Sequence, residues 1–356
     1  MSISIDQAKP IRSGEEIDVA RLGEYLAEFL PSLVGPLVVE QFPSGYSNLT
    51  YLLKLGGKEL VLRRPPIGNV VKSAHDMGRE YRVLSQLCQV YSPAPKPLLF
   101  CEDEKIVGGQ FYVMERLQGV ILRQMNTPEE LTKSPSLVAK LCESFIANLA
   151  LLHKIDYQSV GLGDLGRPEG YVERQVTGWV KRYAKAKTDD YPEIEKMGRW
   201  LVENMPPDSS PSLIHNDYKY DNLVLDSDDL TNIIGVLDWE MTTIGNPLMD
   251  LGSTLAYWVE PDDPPEEQAL AFGPTAIEGS FSRAQLVEHY AQCADIELPT
   301  IVFYYCFGLF KLAVIIQQIY ARYTAGTTKD PRFAKLNKRV ESLGKSGVRV
   351  IDTGKI

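Results

Sequence analysis

Apolar and polar positions alternate through three short runs near the start of the chain: Leu37-Val38-Val39, Tyr51-Leu52-Leu53-Lys54-Leu55 and Leu60-Val61-Leu62. Alternation with period two predicts strands. Gly56-Gly57 between the second and third runs predicts a tight hairpin. From roughly 74 to 90 the period changes, with Tyr81, Leu84, Leu87 and Cys88 recurring at helical spacing. Pro93, Pro95 and Pro97 close that helix. Two further strand-like runs follow, Leu98–Cys101 and Phe111–Glu115. Beyond about 128 the pattern turns helical. Leu141, Phe145, Leu149 and Leu152 share one face of a predicted helix over 137–155, and Val172, Val176, Trp179, Val180 and Tyr183 form a second stripe. The stretch from Ile301 to Ile316 is strongly apolar, but Lys311 interrupts it and Gln317-Gln318 closes it. A buried core helix is therefore expected there rather than a bilayer span. The polar runs 206–211 and 260–267 read as a linker and an exposed loop.

The elements sum to an α+β chain in three parts. Residues 1–16 are expected to be a flexible N-terminus. Residues 17–117 should form a small antiparallel β-sheet lobe with one helix, and 118–356 a large, mainly helical lobe. The boundary falls near Glu115-Arg116-Leu117-Gln118-Gly119.

Two segments carry chemistry: Leu213-Ile214-His215-Asn216-Asp217-Tyr218-Lys219-Tyr220-Asp221-Asn222-Leu223, and Ile233 to Glu240, which contains Leu237-Asp238-Trp239. Asp217 and Asn222 stand five apart in a loop between apolar runs, and Asp238 ends a third apolar run. Metal-assisted phosphoryl transfer needs these residue types. One carboxylate, Asp217, accepts or orients the attacking hydroxyl. An amide oxygen, Asn222, and a second carboxylate, Asp238, hold Mg²⁺ against nucleotide phosphates. Hard oxygen ligands suffice for that ion. His215 is expected to organise the loop rather than to act as a base.

On the nucleotide side, Val61 and Arg63 share a strand face. Val61 can cover a base while Arg63 reaches phosphate, and Arg64 points to the opposite face. Glu80, on the helical side that carries Leu84 and Leu87, is the expected ion partner of Arg63, with Asp76 as the alternative. The chain has no G-x-G-x-x-G. Its one candidate phosphate-covering turn offers Ser44, Gly45, Ser47 and Asn48 as donors, and a plain β-turn satisfies the same residues.

Length and composition are those of an ordinary globular chain: 356 residues, 44% hydrophobic and 24% charged. A net charge of −10 argues against nucleic acid as the partner. The five cysteines show no metal spacing and no C-x-x-C, as in a reduced cytoplasmic protein. The first 16 residues lack an apolar signal core. No membrane partner is expected.

These motifs resemble the aminoglycoside phosphotransferase/choline kinase-like family. The likeness is closer to the subfamily of kinase-like domains that also occur fused to acyl-CoA dehydrogenases. It is carried by Asn48–Leu53, Val61–Pro66, Phe111–Arg116, Gly161–Tyr171, the Asp217 loop and the stretch from Leu237 to Asp250. The resemblance implies a two-lobed protein-kinase-like fold and an ATP- or GTP-dependent, Mg²⁺-dependent phosphotransferase acting on a small-molecule hydroxyl. It makes Met114, Glu115 and Arg116 the hinge against the adenine edge, and Asp250 a brace for the catalytic loop. It also favours the nucleotide role of the turn at 44–48. Only eleven residues separate Asp238 from Asp250, which leaves no room for a phosphorylated activation loop with a basic partner cluster. The opposing reading is a non-catalytic nucleotide-binding or acyl-CoA-binding scaffold of the same fold.

Residues 171–187 hold Arg174, Lys181, Arg182, Lys185 and Lys187 against one acid, Glu173. A polycationic acceptor would need carboxylates there and choline an aromatic cage. An anionic or acyl-type acceptor, a hydroxy acid or hydroxyacyl-CoA, is therefore expected. Tyr171 and Arg174, nearest the glycine-rich turn at 161–170, are the residues expected to reach it. The alternative for these cations is the solvated face of a helix.

Overall fold

The computed structural model describes residues 6–43, 48–66, 76–124, 126–207, 209–298 and 300–356. In chain order the elements begin α1 (Val19–Phe29), β1 (Val38–Gln41), β2 (Leu49–Leu55), β3 (Lys58–Arg64), α2 (Met77–Leu87), β4 (Pro97–Cys101) and β5 (Phe111–Glu115). Then come α3 (Glu129–Lys133), α4 (Pro135–His153), α5 (Tyr171–Ala186), α6 (Pro192–Glu203), β6 (Ser212–Ile214), β7 (Leu223–Leu225), β8 (Ile233–Val236) and β9 (Thr243–Gly245). The last are α7 (Pro247–Tyr257), α8 (Pro265–Gln268), α9 (Arg283–Ala294), α10 (Val302–Thr324) and α11 (Leu336–Thr353). They fall into two compact units. One takes in the chain up to Ile121 together with Leu223–Glu240, and the other takes in Leu122–Asn222 and Met241–Ile356.

The first unit is built on a five-stranded antiparallel sheet in the order β1-β2-β3-β5-β4. Gly56 (φ 58°) and Gly57 (φ 73°) both lie in the left-handed region. A two-residue turn matched to strand twist requires that conformation. Period two then sorts β3 into two faces. Leu60 and Leu62 join Tyr51, Leu53, Phe111 and Val113 in a core closed by Leu22 and Leu26 of α1. Val61 and Arg63 take the other face, where their register partners are Met114 and Tyr112. The sequence pattern did not single out α1. Its signal is Asp18, whose side chain accepts from Arg21 N at 3.0 Å and caps the helix. Part of the stretch expected to be flexible is held: Lys9 pairs with Gln41, and Arg12 N donates to Gln41 Oε1 at 2.9 Å. The short pair β7–β8 belongs to this unit, tied to it by a Val120–Leu225 bridge and by Val236 N donating to Pro93 O at 2.8 Å.

The second unit is mainly helical, with β6 and β9 paired antiparallel. α10 crosses α7 at two glycines. A Cβ on Gly252 would fall on the Tyr304 carbonyl, and one on Gly308 on the Gly252 carbonyl. That backbone-to-backbone approach fixes how α10 presents Lys311. By length and composition alone, α4 and α10 are each apolar enough to cross a bilayer. Of the most apolar window in α10, 83% is buried within the protein, as a core helix requires; the figure for α4 is 50%. The stretch 260–267 is exposed at Pro261, Asp262, Pro265 and Glu266, as expected of a loop, but not throughout. Asp263 and Glu267 are buried. Arg283 binds Asp263 and, at 3.1 Å, Glu260, while Glu267 accepts from Ser342 and Ser346 at 2.9 and 2.7 Å. The acids are there because a buried guanidinium and two hydroxyls need acceptors.

Candidate active site

The Asp217 loop leaves β6 and is braced from α7. Asn246 caps that helix by accepting from Leu248 N, Pro247 starts it, and Asp250 lies in its first turn, where the helix dipole favours a carboxylate. Asp250 Oδ2 accepts from His215 N at 2.7 Å, and Oδ1 accepts from Asn216 N at 2.8 Å. Oδ2 also meets His153 Nε2 at 3.1 Å. A carboxylate can only accept, so Nε2 carries the proton; Nδ1 meets the Tyr290 hydroxyl at 2.7 Å. Burial alone would raise the Asp250 pKa. The hydrogen bond and charge of His153, with His215, outweigh that and hold it below the ordinary carboxylate range. His215 is fully buried, and its Nδ1 accepts from Asp217 N at 3.3 Å. Sequence reasoning placed His215 and Asp250 in organising roles; it had no signal for His153.

Asn216 adopts a left-handed φ of 66°, a conformation that costs energy outside glycine. Four groups hold it there. Its N–H donates to Asp250, and its Nδ2 donates to Met241 O at 3.0 Å. Its carbonyl accepts from Lys311 Nζ at 2.9 Å, and its Oδ1 faces the Tyr171 hydroxyl at 3.4 Å. The next residue, Asp217, accepts from Lys219 Nζ (2.7 Å) and Asn222 Nδ2 (2.9 Å), both at Oδ2. Asn222 Nδ2 also donates to the Asp217 carbonyl at 2.8 Å. Asp217 Oδ1 lies outside those bonds. Asn222, with Nδ2 turned to Asp217, is left with its amide oxygen, which is the atom a hard cation takes. Lys219 was missed, although it stands only two residues after Asp217. Its ammonium also lies over the rings of Phe272 and Tyr257, at 4.9 and 5.2 Å.

The nucleotide-side residues form a cluster within the first unit. Arg63 Nη1 lies 3.3 Å from Glu80 Oε1, and Nη2 lies 2.9 Å from Asp238 Oδ1. Both the Arg63 and the Glu80 side chains are buried. Burial works against the Arg63 charge, but Glu80, Tyr112 and Asp238 outweigh it and keep the guanidinium protonated. Burial pushes Glu80 upward, against the pull of Arg63. Asp76 is not the partner: its side chain caps α2 by accepting from Arg79 N at 2.9 Å. Arg64 points to the opposite face of β3, where it sits over the Tyr51 ring and donates to Val107 O. Asp238 has a left-handed φ of 68° and remains partly exposed. It is held immediately before buried Trp239, whose Nε1 donates to Val236 O at 2.8 Å. Its carboxylate suits Mg²⁺ as the Asn222 amide oxygen does.

Asn48 is buried, and its Nδ2 donates to Glu240 Oε2 at 2.7 Å. Ser44, Gly45 and Ser47 lie outside the described residues. Met114 pairs with Val61 in the sheet. The Glu115 N–H is committed to the Lys96 carbonyl at 2.9 Å. Arg116 binds Glu59 at 2.5 Å and donates to the Asp6 carbonyl at 2.7 Å, so its side chain is committed to its own unit.

Tyr171 and Arg174 line one cavity of about 400 Å³ in the second unit, with Arg167, Trp179, Arg182, Asn216 and Lys311 among its other walls. Arg174 donates to the carbonyls of Glu169 and Arg167, which fastens the turn before α5. Lys311 was read from sequence only as an interruption of an apolar helix. A cation in the middle of such an apolar run is itself a signal, because burying it demands acceptors.

Residues 38–286 match the profile of the phosphotransferase enzyme family. This chain belongs to that family. Acyl-CoA dehydrogenase family member 11 of Gallus gallus is 34% identical over 350 residues, which cover 96% of this chain and 44% of that protein. The chain thus spans less than half the length of this curated relative. Among solved structures, a candidate aminoglycoside phosphotransferase from Ralstonia eutropha JMP134 shares 30% identity, with a TM-score of 0.82 over 95% of this chain and 99% of the other. The GDP and kanamycin complex of APH(2″)-IIIa superposes with a TM-score of 0.63 at 13% identity, covering 92% and 98% of the two chains, a likeness of fold. The kinase-like α+β fold expected from the motifs is the fold these comparisons give, and the family is one of small-molecule phosphotransferases.

Proposed function

We propose that this chain transfers the terminal phosphate of ATP or GTP, with Mg²⁺, to a hydroxyl of a small anionic or acyl-type acceptor, a hydroxy acid or hydroxyacyl-CoA. The observation that carries the reading is Asp217, set in a loop fixed through Asp250 and flanked at hydrogen-bond distance by Lys219 and Asn222.

In this reading Asp217 orients the acceptor hydroxyl and receives its proton, while Lys219 and Asn222 keep one carboxylate oxygen fixed. Positioning of this kind, with charge stabilisation, accounts for most of phosphoryl-transfer catalysis. Asp238 and the Asn222 amide oxygen would each offer Mg²⁺ a hard oxygen ligand, and the ion when bound would neutralise phosphate charge. Arg63, kept charged between Glu80 and Asp238, contacts nucleotide phosphate. Val61 and Met114, paired on one face of the sheet, cover the base. Ser44, Gly45, Ser47 and Asn48 contribute donors, and the hinge includes Met114, Glu115 and Arg116. Lys311, Arg182 and Arg167 beside Tyr171 and Arg174 favour an acidic acceptor over a cationic one. The name of the acyl-CoA dehydrogenase relatives supports the acyl-type reading. The cytoplasm, where nucleotide and CoA thioesters are at hand, is the proposed location. The test is a phosphate-transfer screen over hydroxylated metabolites that includes hydroxy acids, their CoA thioesters, choline and an aminoglycoside.

A further inference from the structure

Within the C-terminal unit, a cavity of about 400 Å³ lies between α5, α10 and the segment that carries Asn216. Among the described residues its walls hold four cations (Arg167, Arg174, Arg182, Lys311) and no acid, in a chain whose net charge is −10. Its floor is buried and its rim exposed: Tyr171, Trp179 and Lys311 are buried, whereas the three arginines reach solvent. We propose that this cavity receives an acidic group of the acceptor, a carboxylate or a phosphate ester. Lys311 takes it at the floor and Arg182 at the rim. The proposal rests on the phosphotransferase reading of Asp217 and names what that site recognises.

Three observations assign the roles. Lys311 Nζ donates to Asn216 O at 2.9 Å and lies 3.4 Å from Ser253 Oγ. An ammonium has three donors, so one remains for an anion. Burial lowers the Lys311 pKa, with the charges of Asp217 and Asp250 opposing the shift. An anion in the cavity therefore stabilises a cation that the fold has partly desolvated. Arg182 lies over the Trp179 ring at 4.5 Å, which orients its planar fork at low cost in entropy. Arg174 is committed to the carbonyls of Glu169 and Arg167 and shapes the rim instead of gripping. Because Asn216 is both a wall of the cavity and the neighbour of Asp217, an acid anchored here keeps the rest of a small molecule within reach of that carboxylate.

The test is equilibrium binding to the full chain with nucleotide sites saturated by AMP-PNP and Mg²⁺, read by calorimetry. The probes are 3-hydroxybutyrate, its methyl ester, glycerol 3-phosphate and glycerol. At least one acid should bind and its neutral counterpart should not; which acid binds separates carboxylate from phosphate recognition. Lys311→Met and Arg182→Met should each weaken that binding about tenfold or more, with AMP-PNP affinity unchanged. Arg182 is exposed, so its variant stands as the test should Lys311→Met fail to fold. Neutral probes binding as tightly as acids, no acid binding to the parent chain, or undiminished binding in the folded variants overturns the proposal. Acid binding without phosphate transfer would leave this subsite standing and remove the phosphotransferase reading. Transfer to neutral acceptors without acid binding would do the reverse.

Discussion

Arg63 Nη2 lies 2.9 Å from Asp238 Oδ1, although 175 positions separate the two residues in sequence. The same guanidinium meets Glu80 at 3.3 Å. One buried cation thus serves a helix carboxylate and the carboxylate assigned to the metal.

The Arg63–Glu80 pair predicts non-additivity. Removing Arg63 leaves the Glu80 carboxylate buried without its ion partner, which costs about 3–5 kcal/mol, and removing Glu80 leaves Arg63 with Asp238 alone. The double variant Arg63→Ala/Glu80→Ala should be less impaired than the sum of the singles, by about 0.5–3 kcal/mol. Denaturant midpoints and nucleotide affinities measure this. Strict additivity in both would mean that the pair does not couple.

Metal dependence should separate Asp238 from Asn222. Asp238→Ala should abolish the Mg²⁺ dependence of nucleotide binding, and Asn222→Ala should weaken it less, because a carboxylate brings a full charge to the ion and an amide only a dipole. Titration of nucleotide with and without Mg²⁺ reads both. A dependence in Asp238→Ala equal to that of the parent chain would leave Asp238 a structural turn residue.

How much of this could be read from sequence depended on whether a feature was local. The hairpin at Gly56-Gly57 and the opposite faces of Arg63 and Arg64 follow from period two and turn chemistry, and the structure has both. Glu80 beside Arg63 followed from helix phase, while the competing Asp76 is a cap. What was missed depends on packing between distant segments. His153 meets Asp250 across 97 positions, and Lys311 meets Asn216 across 95. No periodicity reports such a pairing. The burial of Asp263 went unseen for the same reason, since its partner Arg283 lies 20 positions beyond it.

Asp250 predicts a loss of stability in acid. Its folded pKa lies below the unfolded value, through His153 and His215 and despite burial. A depressed carboxylate contributes stability that is fully present above the unfolded pKa of about 3.9 and is lost as pH falls through the folded value. Asp250→Asn should lower stability by about 1.5–3 kcal/mol or more at neutral pH and flatten the fall in Tm below pH ~4. Thermal melts across pH for the two proteins check this. Parallel curves would show that Asp250 is not the group responsible.

Asp217 carries the central claim. The most direct measurement follows labelled γ-phosphate from ATP with Mg²⁺ onto a panel of hydroxy acids, their CoA thioesters, choline and an aminoglycoside, with the parent chain and with Asp217→Asn. The account predicts label on the hydroxyl of an acidic or acyl-type acceptor. It also predicts a loss of about 10²–10⁴ in turnover in Asp217→Asn with nucleotide affinity retained. Saturable nucleotide binding with no transfer by the parent chain, or equal turnover by Asp217→Asn, would contradict it.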